Sequence, residues 1–183
     1  MVGGYCATGK STFAHKLSEL LNIPCFNKDK IKEALGDGLG NDHNLVINKG
    51  SGAVFFLMFY IAENLLKTGK TCILEGNFKF YEIEQLQALF DKYNCHCLSF
   101  IFKGDFDVLF NRYVNRDISE KRHWVHSAAG ENAENFKNSH LQPRIGKTGI
   151  GKTIITDATS FSDVEYDELY GAAQRFLQSD SID

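Results

Sequence analysis

Proline, long apolar runs and an excess of charge of one sign are all scarce in this chain. Its 183 residues include 2 prolines, and 20 lysines and arginines nearly balance 23 aspartates and glutamates. The formal net charge of −3 excludes a protein that coats nucleic acid through charge alone. The longest apolar run, from Ala53 to Ala62, has about half of the roughly twenty residues that a membrane-spanning helix needs. This run therefore predicts a buried helix rather than a membrane anchor.

The five cysteines lack the C-x-x-C spacing that is typical of zinc sites and redox pairs. We expect reduced cysteines of a cytoplasmic protein, most of them small core residues. A zinc site formed by Cys95, Cys97 and a histidine is an alternative, but no second ligand pair has suitable spacing.

With 43% hydrophobic and 23% charged residues, the composition is that of an ordinary folded domain. Because domains average roughly 150 residues, the length predicts one domain over residues 1–183. Segments with apolar residues at helical spacing alternate with short apolar runs typical of strands. This alternation predicts an α/β fold with a parallel sheet. The more polar stretch 116–152 is predicted to be a lid-like insertion.

The hydrophobic periodicity also predicts where the elements lie. Asp29 is placed to cap the second helix, and Gly36, Gly38 and Gly40 are predicted to form a loop after it. The predicted helices are 11–22, 30–35, 48–68, 81–93, 106–117 and 164–178, and the predicted strands after the chain start are 23–26, 71–74, 97–102 and 153–156.

Residues 4–11, GYCATGKS, match the pattern G-x-x-x-x-G-K-S/T, and an amphipathic helix follows directly. In this motif backbone N–H groups bind phosphate oxygens, the lysine contacts the β and γ phosphates, and the hydroxyl binds Mg²⁺. Ser11 is therefore the predicted Mg²⁺ ligand. The residues predicted to bind the nucleotide phosphates are Gly4, Cys6, Ala7, Thr8, Gly9, Lys10, Ser11 and Thr12.

A second stretch, residues 146–153 (GKTGIGKT), matches the same pattern. A phosphate loop requires a strand before it and a helix after it, whereas here a polar loop precedes and a strand-like segment follows. We therefore interpret this stretch as a basic loop that enters the last strand.

Only Met1, Val2 and Gly3 precede the phosphate loop, where a buried central strand is expected. Each buried valine or isoleucine contributes roughly 1.5–3 kcal/mol, out of a total stability of about 5–15 kcal/mol. We expect the first strand to be truncated here and the natural chain to begin several residues upstream of Met1.

Two carboxylates follow predicted strands. Asp29 is a candidate general base for a substrate hydroxyl, or a helix cap, or both. Glu75, which ends the next strand, could position Mg²⁺ through water or hold the acceptor. The simpler alternative for Glu75 is a surface position in a turn.

Basic residues are concentrated in the predicted lid. The stretch from Arg116 to Lys152 has 7 basic and 4 acidic residues, whereas the rest of the chain has 13 and 19. Arg112 and Arg116 are four residues apart on one helix, and the Lys121-Arg122 pair follows. Such arginines stabilise a transferring phosphoryl group, although an exposed basic loop without a ligand remains the alternative. His123 and His126 suit a polar surface or a substrate pocket better than a metal site.

These features together resemble the small P-loop kinases, in the group that contains polynucleotide 5′-hydroxyl kinases, chloramphenicol phosphotransferases and zeta toxins. The residues that carry the resemblance are 4–11, Asp29, 74–78 (LEGNF), Arg112, Arg116, Arg122-His123 and 156–159 (TDAT), and it covers almost the whole chain. It implies a P-loop NTPase fold with five parallel strands in the order 2-3-1-4-5 and helices on both faces.

The resemblance also implies roles for individual residues. Asp29 would activate the acceptor hydroxyl, and Arg116 and Arg122 would clamp the ATP phosphates. Arg112 would lie against the adenine, with the turn that ends at Thr159 near the base. This chain differs from the family at Lys30 and Lys32, where members commonly have an arginine, and at Trp124-Val125, where Pro-Gly is frequent.

The sequence therefore predicts an ATP- and Mg²⁺-dependent phosphotransferase. Its acceptor would be a hydroxyl of a small molecule, a nucleotide or a nucleic-acid 5′ end. The net positive lid favours an anionic acceptor, whereas the apolar stretch Val54–Ile61 would suit a greasy one or, more simply, the core. A nucleotide-dependent binding module or switch with slow ATP hydrolysis, and a degenerate kinase that only binds nucleotide, are the alternatives.

Overall fold

The computed structural model describes residues 1–40, 43–119, 122–126, 132–140 and 149–179. It contains a five-stranded parallel sheet in the order β2-β3-β1-β4-β5, which confirms the predicted topology. The strands are β1 (Val2–Gly4), β2 (Cys25–Asn27), β3 (Ile73–Glu75), β4 (Leu98–Lys103) and β5 (Lys152–Asp157).

Helices cover both faces of the sheet, as predicted. They are α1 (Lys10–Leu21), α2 (Lys28–Leu39), α3 (His43–Leu66), α4 (Phe80–Lys92), α5 (Phe106–Ser119), α6 (Ala133–His140) and α7 (Tyr166–Ser179). One core cluster joins α1 and α7 to the sheet, with Phe13 packed 5.1 Å from both Phe100 and Phe102. A second cluster joins α3 and α4 to the sheet through Met58 and Leu86.

The first strand is short, central and buried. Val2 pairs with Glu75 on one side and with Phe100 on the other. Gly4 has a φ of 115°, and a Cβ at this position would lie 2.0 Å from the carbonyl oxygen of Phe102. Glycine is therefore required where the chain leaves the sheet to form the loop before α1.

The second helix differs from its prediction. The side chain of Asn27, not Asp29, caps α2 by accepting a hydrogen bond from the N–H of Lys30 at 2.8 Å. Gly36 and Gly38 lie within α2 rather than in a loop, and only Gly40 ends it, with a φ of 68°. Packing overrides the low helix propensity of glycine at position 36, where there is no room for a Cβ.

The long apolar helix α3 begins five residues earlier than predicted, at His43. Val54 and Met58 are fully buried, whereas Phe56 and Tyr60 are 70% and 65% exposed. One face of the apolar stretch thus belongs to the core. In the part of the chain that the structure describes, no helix is long and apolar enough to cross a membrane.

The predicted insertion 116–152 is described only in part, because residues 120–121, 127–131 and 141–148 lie outside the described residues. A short 3₁₀ turn spans Trp124–His126, and helix α6, which was not predicted, follows. Phe136 of α6 is fully buried, 5.0 Å from Tyr113 and 5.4 Å from Phe110 of α5. Residues 146–148 of the second match to the phosphate-loop pattern lie outside the described residues, and residues 149–151 lead into β5, which begins at Lys152, as the interpretation of a loop entering a strand requires.

Candidate active site

The loop between β1 and α1 lines a cavity with its residues 6–12. Ala7 and Gly9 have left-handed φ angles of 58° and 80°. Within the described residues, the N–H groups of residues 6–12 have no backbone acceptor, and the first return bond runs from Phe13 to Gly9 at 3.0 Å. Consecutive free N–H groups at a helix start form a nest that binds anions.

Lys10 is held inside this loop. Its side chain is 6% exposed, and its ammonium donates a hydrogen bond to the carbonyl of Tyr5, which also accepts from the Thr8 hydroxyl at 2.8 Å. Burial lowers the pKa of Lys10, and the nearby Glu75 carboxylate opposes this shift. A lysine with one backbone partner retains two further N–H donors for phosphate oxygens.

Glu75 lies at the end of β3 and is 4% exposed. Its Oε2 accepts a hydrogen bond from the side-chain amide of Asn27 and lies 3.4 Å from the Ser11 hydroxyl. Burial raises the pKa of Glu75 to about 7, although Lys10 opposes the shift. This pair of oxygen ligands suits Mg²⁺, which typically uses one or two protein oxygens together with phosphates and water. No cluster of three or more His, Cys, Asp or Glu side chains that could hold a metal occurs among the described residues.

The cavity above the loop has a volume of about 90 Å³. Besides the loop, the cavity is lined by Lys28 and Asp29 of α2, by Glu75 of β3 and by Arg116 of α5. The buried Nε of Arg116 has no hydrogen-bond partner in the described structure. A phosphate bound beside this N–H group would accept a hydrogen bond from it and so satisfy it.

Asp29 lies in the first turn of α2, with Oδ1 3.2 Å from the ammonium of Lys28. Burial alone would raise the pKa of the Asp29 carboxyl, but Lys28, with a smaller contribution from His126, lowers it to about 2. Asp29 is therefore ionised at neutral pH and accepts hydrogen bonds only.

A second cavity of about 470 Å³ adjoins the first. The two cavities share Ser11, Asp29 and Arg116, so Asp29 lies at their junction. The walls of the second cavity are otherwise polar side chains of Asn27, of α2 and of the segment 122–126, Arg122 among them.

The segment 122–126 is docked on α2. The buried ammonium of Lys32 donates to the carbonyl of Val125 at 3.1 Å, and His123 Nε2 lies 3.0 Å from Asp37 Oδ1. A Cβ on Gly36 would approach Val125 Cγ1 to 2.6 Å. Lys32, one of the positions where the chain differs from the family pattern, thus holds this segment against α2.

Arg112 lies apart from both cavities. Its guanidinium donates to the carbonyls of Ala158 and Thr159 at 2.7 and 2.6 Å and stacks on Phe161 at 3.8 Å. The Thr159 hydroxyl accepts a hydrogen bond from the N–H of Asp105 at 2.8 Å. Phe161 also reaches the phosphate loop, since a Cβ on Gly9 would lie 3.3 Å from its ring.

The structure thus gathers Lys10, Ser11, Asp29, Glu75 and Arg116 around one cavity and places Arg122 only on the second. Four residues near the site were not predicted from the sequence, and neither was the approach of His126 to Asp29. The four are Asn27, Lys28, Glu33 and Phe161. Only Asn27 carried a recognisable signal, because asparagine before a helix is a preferred cap.

The chain has a P-loop kinase-like fold, as solved structures show. It matches a presumed kinase from Chloroflexus aurantiacus with a TM-score of 0.80 and 24% identity, over 97% of this chain and 94% of that one. A sugar kinase from Janibacter matches with a TM-score of 0.62 and 13% identity, over 97% and 92%. Shikimate kinase from Bacteroides thetaiotaomicron matches with a TM-score of 0.58 and 15% identity, over 97% and 96%.

The sequence matches no protein-family model and none of the curated protein sequences. Since each structural likeness is below 25% identity, these likenesses establish the fold and leave the reaction to be argued from the site.

Proposed function

We propose that the protein is an ATP- and Mg²⁺-dependent phosphotransferase that moves the γ-phosphoryl group of ATP to an acceptor hydroxyl. The observation that carries the proposal is the junction of the two cavities. A cavity floored by the free N–H groups of residues 6–12 meets a larger polar cavity, and Asp29 and Arg116 line both. A donor phosphate on one side and a hydroxyl on the other would meet at these two side chains.

The phosphate side supplies binding and charge neutralisation. The loop N–H groups and the Lys10 ammonium hold the phosphates, and the free Nε–H of Arg116 donates to the group in transfer. Ser11 and Glu75 are the residues that would hold Mg²⁺, which when bound neutralises charge on the β and γ phosphates. Arg122, from the docked segment, adds a cation on the acceptor side.

Asp29 orients the acceptor. Its ionised carboxylate accepts a hydrogen bond from the attacking hydroxyl and takes its proton as the new bond forms. The acceptor oxygen bonds to the γ-phosphorus while the bond from that phosphorus to the β–γ bridging oxygen breaks, leaving ADP. Because phosphoryl transfer proceeds through a loose transition state, a weakly basic carboxylate is sufficient for this role.

Arg112 provides a planar cation on the side of the site where the nucleobase of ATP would bind. Arg112 is fixed in plane by two carbonyls and stacks on Phe161 next to the loop. A guanidinium held in this way presents its face for stacking on a nucleobase. This supports a nucleotide, ATP in our proposal, rather than inorganic polyphosphate as the donor.

The test is transfer of label from ATP radiolabelled in the γ-phosphate to a panel of alcohols, sugars, nucleosides and 5′-hydroxyl oligonucleotides. We expect a labelled acceptor that depends on Mg²⁺ and disappears in Lys10→Ala. Slow release of labelled phosphate, with no labelled acceptor across the panel, would contradict the proposal and favour a nucleotide-dependent binding module.

A further inference from the structure

One polar side chain of the second cavity has a buried nitrogen without a hydrogen-bond partner among the described residues. The His126 side chain is 10% exposed, and its Nε2 lies 3.3 Å from Glu33 Oε1 without the alignment of a hydrogen bond. Burial lowers the pKa of this imidazole, although Asp29 opposes the shift. A buried ring nitrogen without a partner is costly, so a ligand group that reaches it gains binding energy.

Glu33 presents one free oxygen at the same place. Its Oε2 is held by Lys30 at 2.6 Å, while Oε1 faces His126. A group that bridges this oxygen and the imidazole must donate to the carboxylate and also hydrogen-bond the ring nitrogen. A hydroxyl does both when Nε2 carries the ring proton, because it accepts from Nε2–H and donates its own proton to the carboxylate, whereas an ammonium only donates and a phosphate is repelled by the carboxylate.

The Glu33–His126 pair has a fixed relation to Asp29. Asp29 and Glu33 are four residues apart on α2, so they project from one helix face with Cβ atoms about 5–6 Å apart. The docking of the segment 122–126, through Lys32 and Gly36, holds His126 over that face. The cavity therefore has two hydroxyl-binding positions on one rigid support.

We propose that the acceptor is a compact polyol with two hydroxyls engaged at once. One hydroxyl is phosphorylated at Asp29, and a second bridges Glu33 and His126 and thereby sets the orientation of the first. The inference rests on the proposed function and deepens it, because it selects sugars, cyclitols or riboses over alcohols with a single hydroxyl.

The test pairs polyols with analogues that lack one hydroxyl, again with ATP radiolabelled in the γ-phosphate. The probes are glucose with its deoxy sugars, myo-inositol with cyclohexanol, and adenosine with 2′- and 3′-deoxyadenosine. We expect phosphorylation of at least one polyol, and a roughly 10- to 100-fold lower kcat/KM when the bridging hydroxyl is missing, as for a lost hydrogen bond to a charged group.

Two variants assign that discrimination to the pair. Glu33→Gln and His126→Phe should bring the polyol and its deoxy analogue to within a few-fold of each other, mainly by raising the KM of the polyol. Glu84→Gln is the matched control, because Glu84 is an exposed residue of α4 that lines neither cavity, and it should keep the discrimination. Melting temperature and ATP binding report folding, and Glu33→Gln carries the test if His126→Phe fails to fold.

The outcomes separate the two proposals. Transfer only to single-hydroxyl or anionic acceptors, or unchanged discrimination in folded Glu33→Gln protein, would overturn the polyol assignment and leave the kinase assignment standing. A protein that binds ATP and Mg²⁺ but labels no acceptor in the panel would contradict the proposed function, and the polyol assignment with it.

Discussion

The phosphate side of the candidate site consists mainly of backbone groups, whereas the acceptor side consists of side chains. The phosphate side is mostly backbone from one continuous stretch, residues 6–12, which a single strand and a single helix hold in place. The acceptor side consists of side chains from α2, α5 and the segment 122–126, which only long-range packing brings together. A phosphate chain is the same in every nucleotide, so selectivity for the acceptor has to reside in the second, side-chain half.

The electrostatics of the two halves also differ. On the phosphate side, burial raises the pKa of Glu75 to about 7, whereas on the acceptor side Lys28 lowers that of Asp29 to about 2. Two carboxylates with opposite shifts in one site indicate separate tasks. In the proposed mechanism, the ionised Asp29 would receive the proton of the acceptor hydroxyl, and Glu75 would ionise fully when Mg²⁺ binds beside it.

Removal of the arginine shared by the two cavities should have the largest effect. Arg116→Ala is expected to lower kcat for phosphoryl transfer by about 10³–10⁵, the usual contribution of an arginine to a transferring phosphoryl group. Steady-state transfer measures this effect, with Mg·ATP binding followed by calorimetry. Arg116→Lys, which keeps the charge but loses the planar fork, should recover only part of the rate. A loss smaller than about tenfold would mean that Arg116 does not contact the reacting group.

The next largest effect is expected for Asp29, which lies where the two cavities meet. Asp29→Asn is expected to lower kcat by about 10²–10⁴ while ATP affinity is nearly unchanged, because the amide accepts no proton but keeps its size. Comparison of kcat with the nucleotide dissociation constant tests this directly. Unchanged turnover would remove Asp29 from the reaction and assign it to the structure of α2.

The phosphate half could be predicted from sequence because its determinants are local. Residues 4–11 define the loop, the alternation of strands and helices predicts a parallel sheet, and the family resemblance implies the order 2-3-1-4-5 that the sheet has. The same sequence motif occurs again at residues 146–153, and only the flanking secondary structure distinguishes the two matches. Local patterns suffice where one short segment makes a whole structural unit.

For the acceptor half, the sequence predicted individual residues such as Asp29, Arg116 and Arg122 but not the contacts that assemble them, because these contacts join segments that are distant in sequence. Gly36 was predicted to lie in a loop, because nothing in the sequence around it indicates that Val125 packs against it. Arg112 and Arg116 share a helix face as expected, yet one turns to the carbonyls after β5 and the other to the phosphate cavity. The pairing of His126 with Glu33 depends on the same docking of the segment 122–126 on α2, which no periodicity encodes.

Two glycines of α2 offer a matched test of that docking. A Cβ on Gly36 would lie 2.6 Å from Val125 and 3.0 Å from Trp124, whereas one on Gly38 meets nothing within 4 Å. Gly36→Ala should therefore lower the free energy of unfolding by about 1–3 kcal/mol, as overpacking does. Gly38→Ala should raise it by up to about 1 kcal/mol through helix propensity. Chemical denaturation measures both, and equal effects of the two variants would contradict the close packing of the segment on α2.

The smallest change in turnover at neutral pH is expected for a variant that alters the pKa of Asp29 and leaves the residue itself in place. Lys28 is the main group that lowers the pKa of Asp29, so in Lys28→Gln the loss of this charge and its contact with the carboxylate should raise that pKa. Turnover at pH 7 should change by less than about tenfold, because Asp29 stays ionised there, but the acid limb of the pH–rate profile should move to higher pH. Lys30→Gln removes an equal charge from α2, yet its ammonium pairs with Glu33 rather than Asp29, so its acid limb should stay in place. If both variants or neither moved the acid limb, the low pKa of Asp29 would not be due to Lys28, and the contrast between the two carboxylates would need another cause.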